Sequence, residues 1–485
     1  MVIFYIKLGV FVVKDLVPCV HFYDQDFVDM YDRSWVWIEE NWIQRQEEEL
    51  FPNGFFVGCK SNEINLFDNC MASISLSYSN QNFDAYSLVD FFYKQQKEDG
   101  QIFDRYDSTT LKPIVSEDNP KGICPPLLPY VEFCFYHKIG NKKRLKEVVP
   151  YLEKYFNYIV SNFQCANGLF HVPISACHLG NVPRYNTYYP VDFNAMMAVA
   201  ALYMSNIGDI LNDKELSFRY KRVYFSLKTR INSMMWSDED HFYYDIDENE
   251  VIIKNKHIGS YWTMLAEIPN DEYAGFLIDA LKDPAEFGTD NPFPCVPVSN
   301  PCFSEEGNGY KGGVVPFYTY MVIKGLNKYD SFVFARECAI RHMYFILDTL
   351  HPDGETVGDV WESYKPNKEG ASISLDGDFV NQKRNLAMIS LITITLMIEN
   401  IIGLEISLPR KTVDWTMTSL ESMGIEKLSL KRNNITILSN KNIRGWEIRL
   451  ESEKLYYFTI LILDENKKKT LPIPSGKCSM LIDKL

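Results

Sequence analysis

Apolar residues along this chain fall into two different helical patterns. Leu145, Val148, Val149, Leu152, Tyr155, Phe156, Ile159 and Val160 recur at the i, i+3, i+4, i+7 spacing that puts one apolar stripe on an otherwise charged helix. That spacing predicts an outer helix, with one side on a core and the other in water. Between Phe193 and Met204 the residues Phe193, Ala195, Met196, Met197, Val199, Ala200, Ala201, Leu202 and Met204 leave almost no polar side, and Pro190 with Asp192 supplies a helix start. A helix apolar all round must be covered on every side, so this one is predicted to be an inner helix. Further helices are predicted over 84–98, 126–137, 214–235, 271–281, 315–326, 331–350 and 385–402. One-sided and all-round apolar helices in one chain predict two concentric helical layers over roughly residues 80–402.

After Gly403 the pattern changes to short runs of β-branched and aromatic residues, 435–438, 446–450 and 455–463, divided by Asn, Lys and Gly. These predict a small β domain. A second strand-prone stretch, 242–253, predicts a hairpin following Trp236. The apolar start, Val2 to Val13, is interrupted by Lys7 and lacks both a basic leader and a small-residue cleavage site, so it is expected to be a strand or packed segment. The apolar runs 195–204 and 386–398 are too short for the roughly 18 residues a membrane span requires.

A chain of 485 residues has ample length for a large core, and 46% hydrophobic with 23% charged residues is an ordinary globular composition. A formal charge of −15 repels phosphate backbones and anionic lipid, which argues against nucleic-acid and membrane partners. The 11 cysteines include no C-x-x-C pair and the 8 histidines no H-E-x-x-H, so no metal site is read from them. No cofactor is expected, the cysteines are read as reduced and buried, and a cytoplasmic location follows from that reading.

Four loops carry candidate chemistry. The segment 351–370, HPDGETVGDVWESYKPNKEG, sets Glu362 between Trp361 and Tyr364, either a general base flanked by rings that stack on sugars or a surface Glu beside packing aromatics. The segment 176–194, ACHLGNVPRYNTYYPVDFN, offers Asn181, Arg184, Tyr185, Tyr188 and Tyr189 to a polyol, and ends in Asp192, an acid or, by position, a helix N-cap. In 308–316, NGYKGGVVP, paired glycines allow close backbone approach beside Lys311. In 65–69, NLFDN, Asp68 is either a structural carboxylate or one that binds sugar hydroxyls.

In their order, these loops resemble the inverting α-glycosidases related to trehalase, processing α-glucosidase I and the mannosylglycerate-hydrolase type, over roughly residues 55–410. The family's SG-x-D-N-S-P-R and V-D-L-N-A segments are matched at Asn181, Pro183, Arg184, Asp192, Asn194 and Ala195. Its W/F-E-x-Y-x-P loop is matched at Trp361, Glu362, Tyr364 and Pro366, its Y-W-R-G-G by Tyr310, Lys311, Gly312 and Gly313, and its paired-proline turn by Pro125 and Pro126. The resemblance implies an (α/α)6 toroid over 55–405, an N-terminal segment 1–54 packed on it and a C-terminal β domain over 406–485. It implies Glu362 as the base and Asp192 as a structural carboxylate, with Asp68, Asn181, Arg184, Tyr185, Lys311, Trp361 and Tyr364 as substrate contacts.

The departures bear on chemistry. The family's general acid is the Asp before N-S-P-R, and here that position is Gly180. Lys311 replaces an Arg and loses its planar fork, and Asn381 with Gln382 replaces a Gly-Trp. Any acid must then come from another group, such as Asp192, His178 or a group of the substrate. Three readings follow: hydrolysis of a small α-linked glycoside with inversion, a carbohydrate-binding pseudoenzyme on the same fold, or a lyase or phosphorylase on the same helical scaffold.

Overall fold

The computed structural model describes residues 17–42, 62–350, 358–431, 433–443, 445–464, 467–473 and 476–481. The apolar start expected at 2–13 and the first part of the 351–370 loop lie outside the described residues. Within them the chain is mainly helical. The helices are α1 Gln25–Asn41, α2 Leu66–Leu76, α3 Ala85–Lys94, α4 Leu128–Ile139, α5 Lys142–Phe163 and α6 Val191–Leu211. They continue as α7 Lys214–Met234, α8 Trp262–Leu265 after a 3-10 turn at Ile258–Tyr261, α9 Asp271–Lys282, α10 Pro316–Asn327, α11 Phe332–Asp348 and α12 Leu386–Ser390. Beyond Ser390, α12 runs on with π winding through Leu391–Ile402.

Burial sorts these helices into two layers. Every residue of α2 is buried, and α6, α10 and α12 are buried nearly all round. In α5 the buried set is Leu145, Val148, Leu152, Tyr155, Phe156, Ile159 and two polar neighbours, the stripe that the spacing predicts. The inner helices α2, α4, α6, α8, α10 and α12 contact one another in that order, and α12 returns to α2, which closes the ring. The outer helices α3, α5, α7 and α11 lie against them, α9 lies against the Phe242–Tyr243 strand, and α1 packs on α12. Chain order alternates inner with outer, so the inner helices run parallel and begin at one end of the ring.

Two inner helices escape the periodicity. In α2 (LFDNCMASISL) the hydroxyls of Ser73 and Ser77 donate to the carbonyls of Cys70 and Ile74, the local bonding that makes Ser a poor helix former. Burial on all sides overrides that preference, so the 65–69 stretch expected as a loop is instead a helix start, with the Asn65 side chain accepting from the Asp68 N–H at 3.0 Å. The short α8 is too brief to show a period.

After Gly403 (φ 91°) the chain forms two sheets. Met423–Leu430, Asn433–Asn442, Gly445–Ser452 and Gly476–Leu481 pair antiparallel, and Cys19–His21 adds to the edge at Met423–Leu430. Leu404–Ser407, Thr412–Met417, Tyr456–Ile462 and Lys467–Ile473 form the other, with Tyr456–Ile462 parallel to Thr412–Met417. Alternate residues are buried along Thr412–Met417 and Tyr456–Ile462, as one-sided strands require. The hairpin expected over 242–253 is split: Phe242–Tyr243 pairs back to Trp236–Ser237, and a shorter turn pairs 245–247 with 251–253 through the Ile246–Ile252 bridge and the Asp247–Val251 and Ile253–Asp245 backbone bonds, both 2.9 Å.

Candidate active site

The candidate residues gather at the end of the ring where the inner helices begin. Asp68 lies in the first turn of α2, 176–190 leads into α6, 308–315 into α10 and 358–385 into α12. At the centre, the Tyr310 hydroxyl donates to Glu362 Oε1 at 2.9 Å. Burial, and then the Glu362 charge beside it, push the Tyr310 phenol well above its ordinary value, so it stays a neutral donor. Backbone bonds fix the Glu362 loop: its own N–H donates to Gln382 O at 2.9 Å, and Val314 and Tyr364 exchange both of theirs. Asn381, where the family has Gly, accepts from the Ser363 N–H at 3.1 Å and donates to the carbonyls of Ser363 and Ser372.

Gly180 (φ 44°) lies against the same tyrosine. A Cβ there would sit 2.2 Å from Tyr310 Cδ2 and 2.4 Å from Cγ, closer than real side chains approach. The space an acidic side chain would leave by is therefore filled by the ring whose hydroxyl holds Glu362. Asn181 joins the two loops, accepting from the Tyr310 N–H at 2.7 Å and donating to Asn308 O and Asp378 Oδ1.

Arg184 and Asp192 do not face this space. Both are buried, and Arg184 donates in a fork to Asp192 (2.7 and 2.9 Å) and in a second fork to Asp245 (2.8 and 2.7 Å). Burial opposes the Asp245 charge, but Arg184 and then His257 hold its carboxyl far below the usual range. Freeing the guanidinium for a sugar would strand two buried carboxylates, a cost of about 3–5 kcal/mol. Arg184 is thus a structural clamp, and Asp192, fully buried in that clamp, has no route to a leaving oxygen. Asp192 is not the N-cap of α6 either: that position is Pro190, and the Val191 N–H is satisfied by Asp245 Oδ1 at 2.8 Å. Nothing in the sequence around Asp245 marked it for this work.

Tyr364 also leaves the list of substrate contacts. It is fully buried, and its hydroxyl oxygen accepts from the Trp361 N–H at 2.9 Å, which shapes the loop from behind. Trp361 is half-buried beneath the Lys383 ammonium, 4.9 Å from the ring centre. Lys311 Nζ donates to Asp376 Oδ2 (2.6 Å) and Asp378 Oδ2 (2.7 Å), which raise its pKa to about 12. Tyr185 is 79% exposed. It and Lys311 line one groove of about 730 Å3, together with Asn255, Asn300, Asn308 and Asp376. Asp68 is buried and close enough to His178 to favour that imidazole's charge.

Residues 180–376 match the mannosylglycerate hydrolase MGH1-like glycoside hydrolase domain, and residues 403–485 match the trehalase C-terminal domain. The chain belongs to this trehalase-related family of toroid glycosidases. An uncharacterized protein of Borreliella burgdorferi is 47% identical over 97% of this chain and 100% of its own length. Among solved structures, a sialidase superposes with TM-score 0.69 at 14% identity over 91% of this chain, which spans 40% of that protein's length. A mannosylglycerate hydrolase from Thermus thermophilus, solved in complex with glucose, superposes with TM-score 0.56 at 15% identity over 75% of this chain and 99% of its own. At such identities these two likenesses speak for the toroid fold alone. Within the described residues no helix is long and apolar enough to cross a membrane.

Proposed function

We propose that this toroid glycosidase hydrolyses a small α-linked glycoside with inversion, using Glu362 as the general base that activates water. The observation that carries the proposal is the Glu362–Tyr310 pair next to position 180. Gly180 abuts one edge of the Tyr310 ring and Glu362 binds its hydroxyl, so the two are separated by about one aromatic side chain. That span is of the order of the roughly 6.5–9.5 Å that inverting enzymes keep between acid and base. Asn181, Tyr185, Lys311 and Trp361 are the substrate contacts of this reading. The proposed division is the toroid over 55–405, the β domain over 406–485 and the segment 1–54 packing on the toroid. Nine cysteines, Cys19 and those from Cys70 to Cys338, are free thiols, which supports a reducing, cytoplasmic compartment.

A second reading, a carbohydrate-binding pseudoenzyme, is favoured by the Tyr310 ring that fills the place of an acid at Gly180. α-Glycosyl fluorides separate the two, because fluoride leaves without a proton donor. The hydrolase reading expects fluoride hydrolysis that Glu362→Gln lowers by about two to four orders of magnitude, with natural α-linked disaccharides slower by a similar factor where no acid replaces the one lost. Sugar binding with no turnover of either substrate class supports the pseudoenzyme instead.

A further inference from the structure

We propose that Asp104, Cys124 and His178 form a site for one divalent transition-metal ion of the zinc class. No two of these residues are near in sequence, and the fold brings their ligand atoms within 4.8 Å of one another. His178 Nε2 is 3.3 Å from Asp104 Oδ2 and 3.9 Å from Cys124 Sγ. Ligands at about 2.0–2.3 Å around a tetrahedral ion are roughly 3.3–3.7 Å apart, so the trio is already close to the edges of such a shell. An imidazole, a thiolate and a carboxylate are zinc's usual donors, and the sulfur disfavours calcium and magnesium.

The cluster is more than a His178–Asp104 ion pair. The Cys124 sulfur is turned toward the same imidazole nitrogen and its thiol reaches the Asp104 carboxylate, so all three donor groups converge on one point. The ligands are also held from behind. The Asp104 N–H donates to Gly122 O at 2.8 Å, the Tyr155 hydroxyl donates to Cys124 O at 2.6 Å, and the His178 ring stacks on Phe67 at 4.4 Å. Three protein ligands leave a fourth position open. His178, the least buried of the three, lies two residues before Gly180 in the loop that leads into α6.

The test is titration of the chelator-treated full chain with Co2+, followed by displacement with Zn2+. One equivalent of cobalt is expected, with tetrahedral bands and a thiolate-to-cobalt charge-transfer absorption that Zn2+ abolishes. Cys124→Ser removes the charge-transfer band, Asp104→Asn and His178→Ala each weaken cobalt binding at least tenfold, and Cys165→Ser changes nothing. X-ray absorption of the zinc-loaded wild type reads one sulfur in the shell, and this holds even where a variant fails to fold. Substoichiometric binding, a shell of nitrogen and oxygen alone, or a cobalt spectrum indifferent to the three substitutions overturns the site. None of these readouts needs turnover, so they stand or fall separately from the hydrolase reading.

Discussion

Where the inner helices end, Glu399 of α12 lies between Lys138 of α4 and Lys324 of α10 and accepts from the Tyr78 hydroxyl at 2.5 Å. Where they begin, Glu362 accepts from the neutral hydroxyl of Tyr310 at 2.9 Å. Both are glutamates on loops or helices of the same ring, yet their surroundings ask different things of them. Burial opposes the Glu399 charge, but Lys138 and then Lys324 outweigh it and bring its pKa down to about 2. That carboxylate is committed to joining three inner helices. Unlike the two lysines, the Tyr310 donor brings no countercharge, so under the proposed function the ring has a stabilising end and a reactive one.

The largest effects test that separation at its two poles. Glu362→Gln is expected to lower α-glycosyl fluoride hydrolysis by about two to four orders of magnitude, read by fluoride release. Glu399→Gln leaves two lysines buried without their countercharge, and denaturant melts should show a loss of about 3–5 kcal/mol. Its pH signature has a definite sign. The folded pKa of about 2 lies below the unfolded value, so the stabilisation is fully present above about pH 4.5 and is lost as pH falls through 2. Wild-type acid unfolding in that window, flattened in Glu399→Gln, is the expected result. A turnover defect larger than the stability defect in Glu399→Gln would break the division between the ends.

Tyr310→Phe sharpens the comparison with a smaller effect. A hydrogen bond to a charged acceptor is worth about 1.5–3 kcal/mol, and it favours the ionised Glu362. Removing the hydroxyl raises the carboxylate's pKa, so the acid limb of the pH–rate profile should move to higher pH. An unchanged limb would detach Tyr310 from the base.

Periodicity made most of the ring legible, because a stripe of residues from Leu145 to Val160 and an unbroken apolar run from Phe193 to Met204 differ in what must cover them. It also underlies α1, where Phe27, Met30, Tyr31, Trp35 and Ile38 are buried on one face, although the chain there reads as a bare N-terminal segment. The serine-rich α2 was hidden because burial overrode local preference. At the site, the motif around Glu362 was readable as residue types in order. What was not readable is orientation: Arg184, a plausible sugar contact by chemistry, spends both forks on Asp192 and on Asp245, 61 residues away. The Asp104–Cys124–His178 cluster and the fit of the Tyr310 ring against Gly180 likewise arise only when loops distant in sequence converge.

The smallest expected effect concerns the rim of the reactive end. Tyr185 is 79% exposed, so its ring contributes little to folding, and Tyr185→Ala should leave the melting midpoint within about 0.5 kcal/mol of stability. Its position in the groove with Lys311 and Asn300 gives a sugar a flat apolar face beside hydrogen-bonding groups. A ring contact of this kind is worth about 0.5–1.5 kcal/mol, so truncation should raise KM by roughly two- to tenfold with kcat unchanged, the signature of binding shared by ground and transition states. A fall in kcat without a rise in KM would instead move Tyr185 from the rim to the reacting bond, and the boundary between binding and chemistry at this end of the ring would have to be redrawn around it.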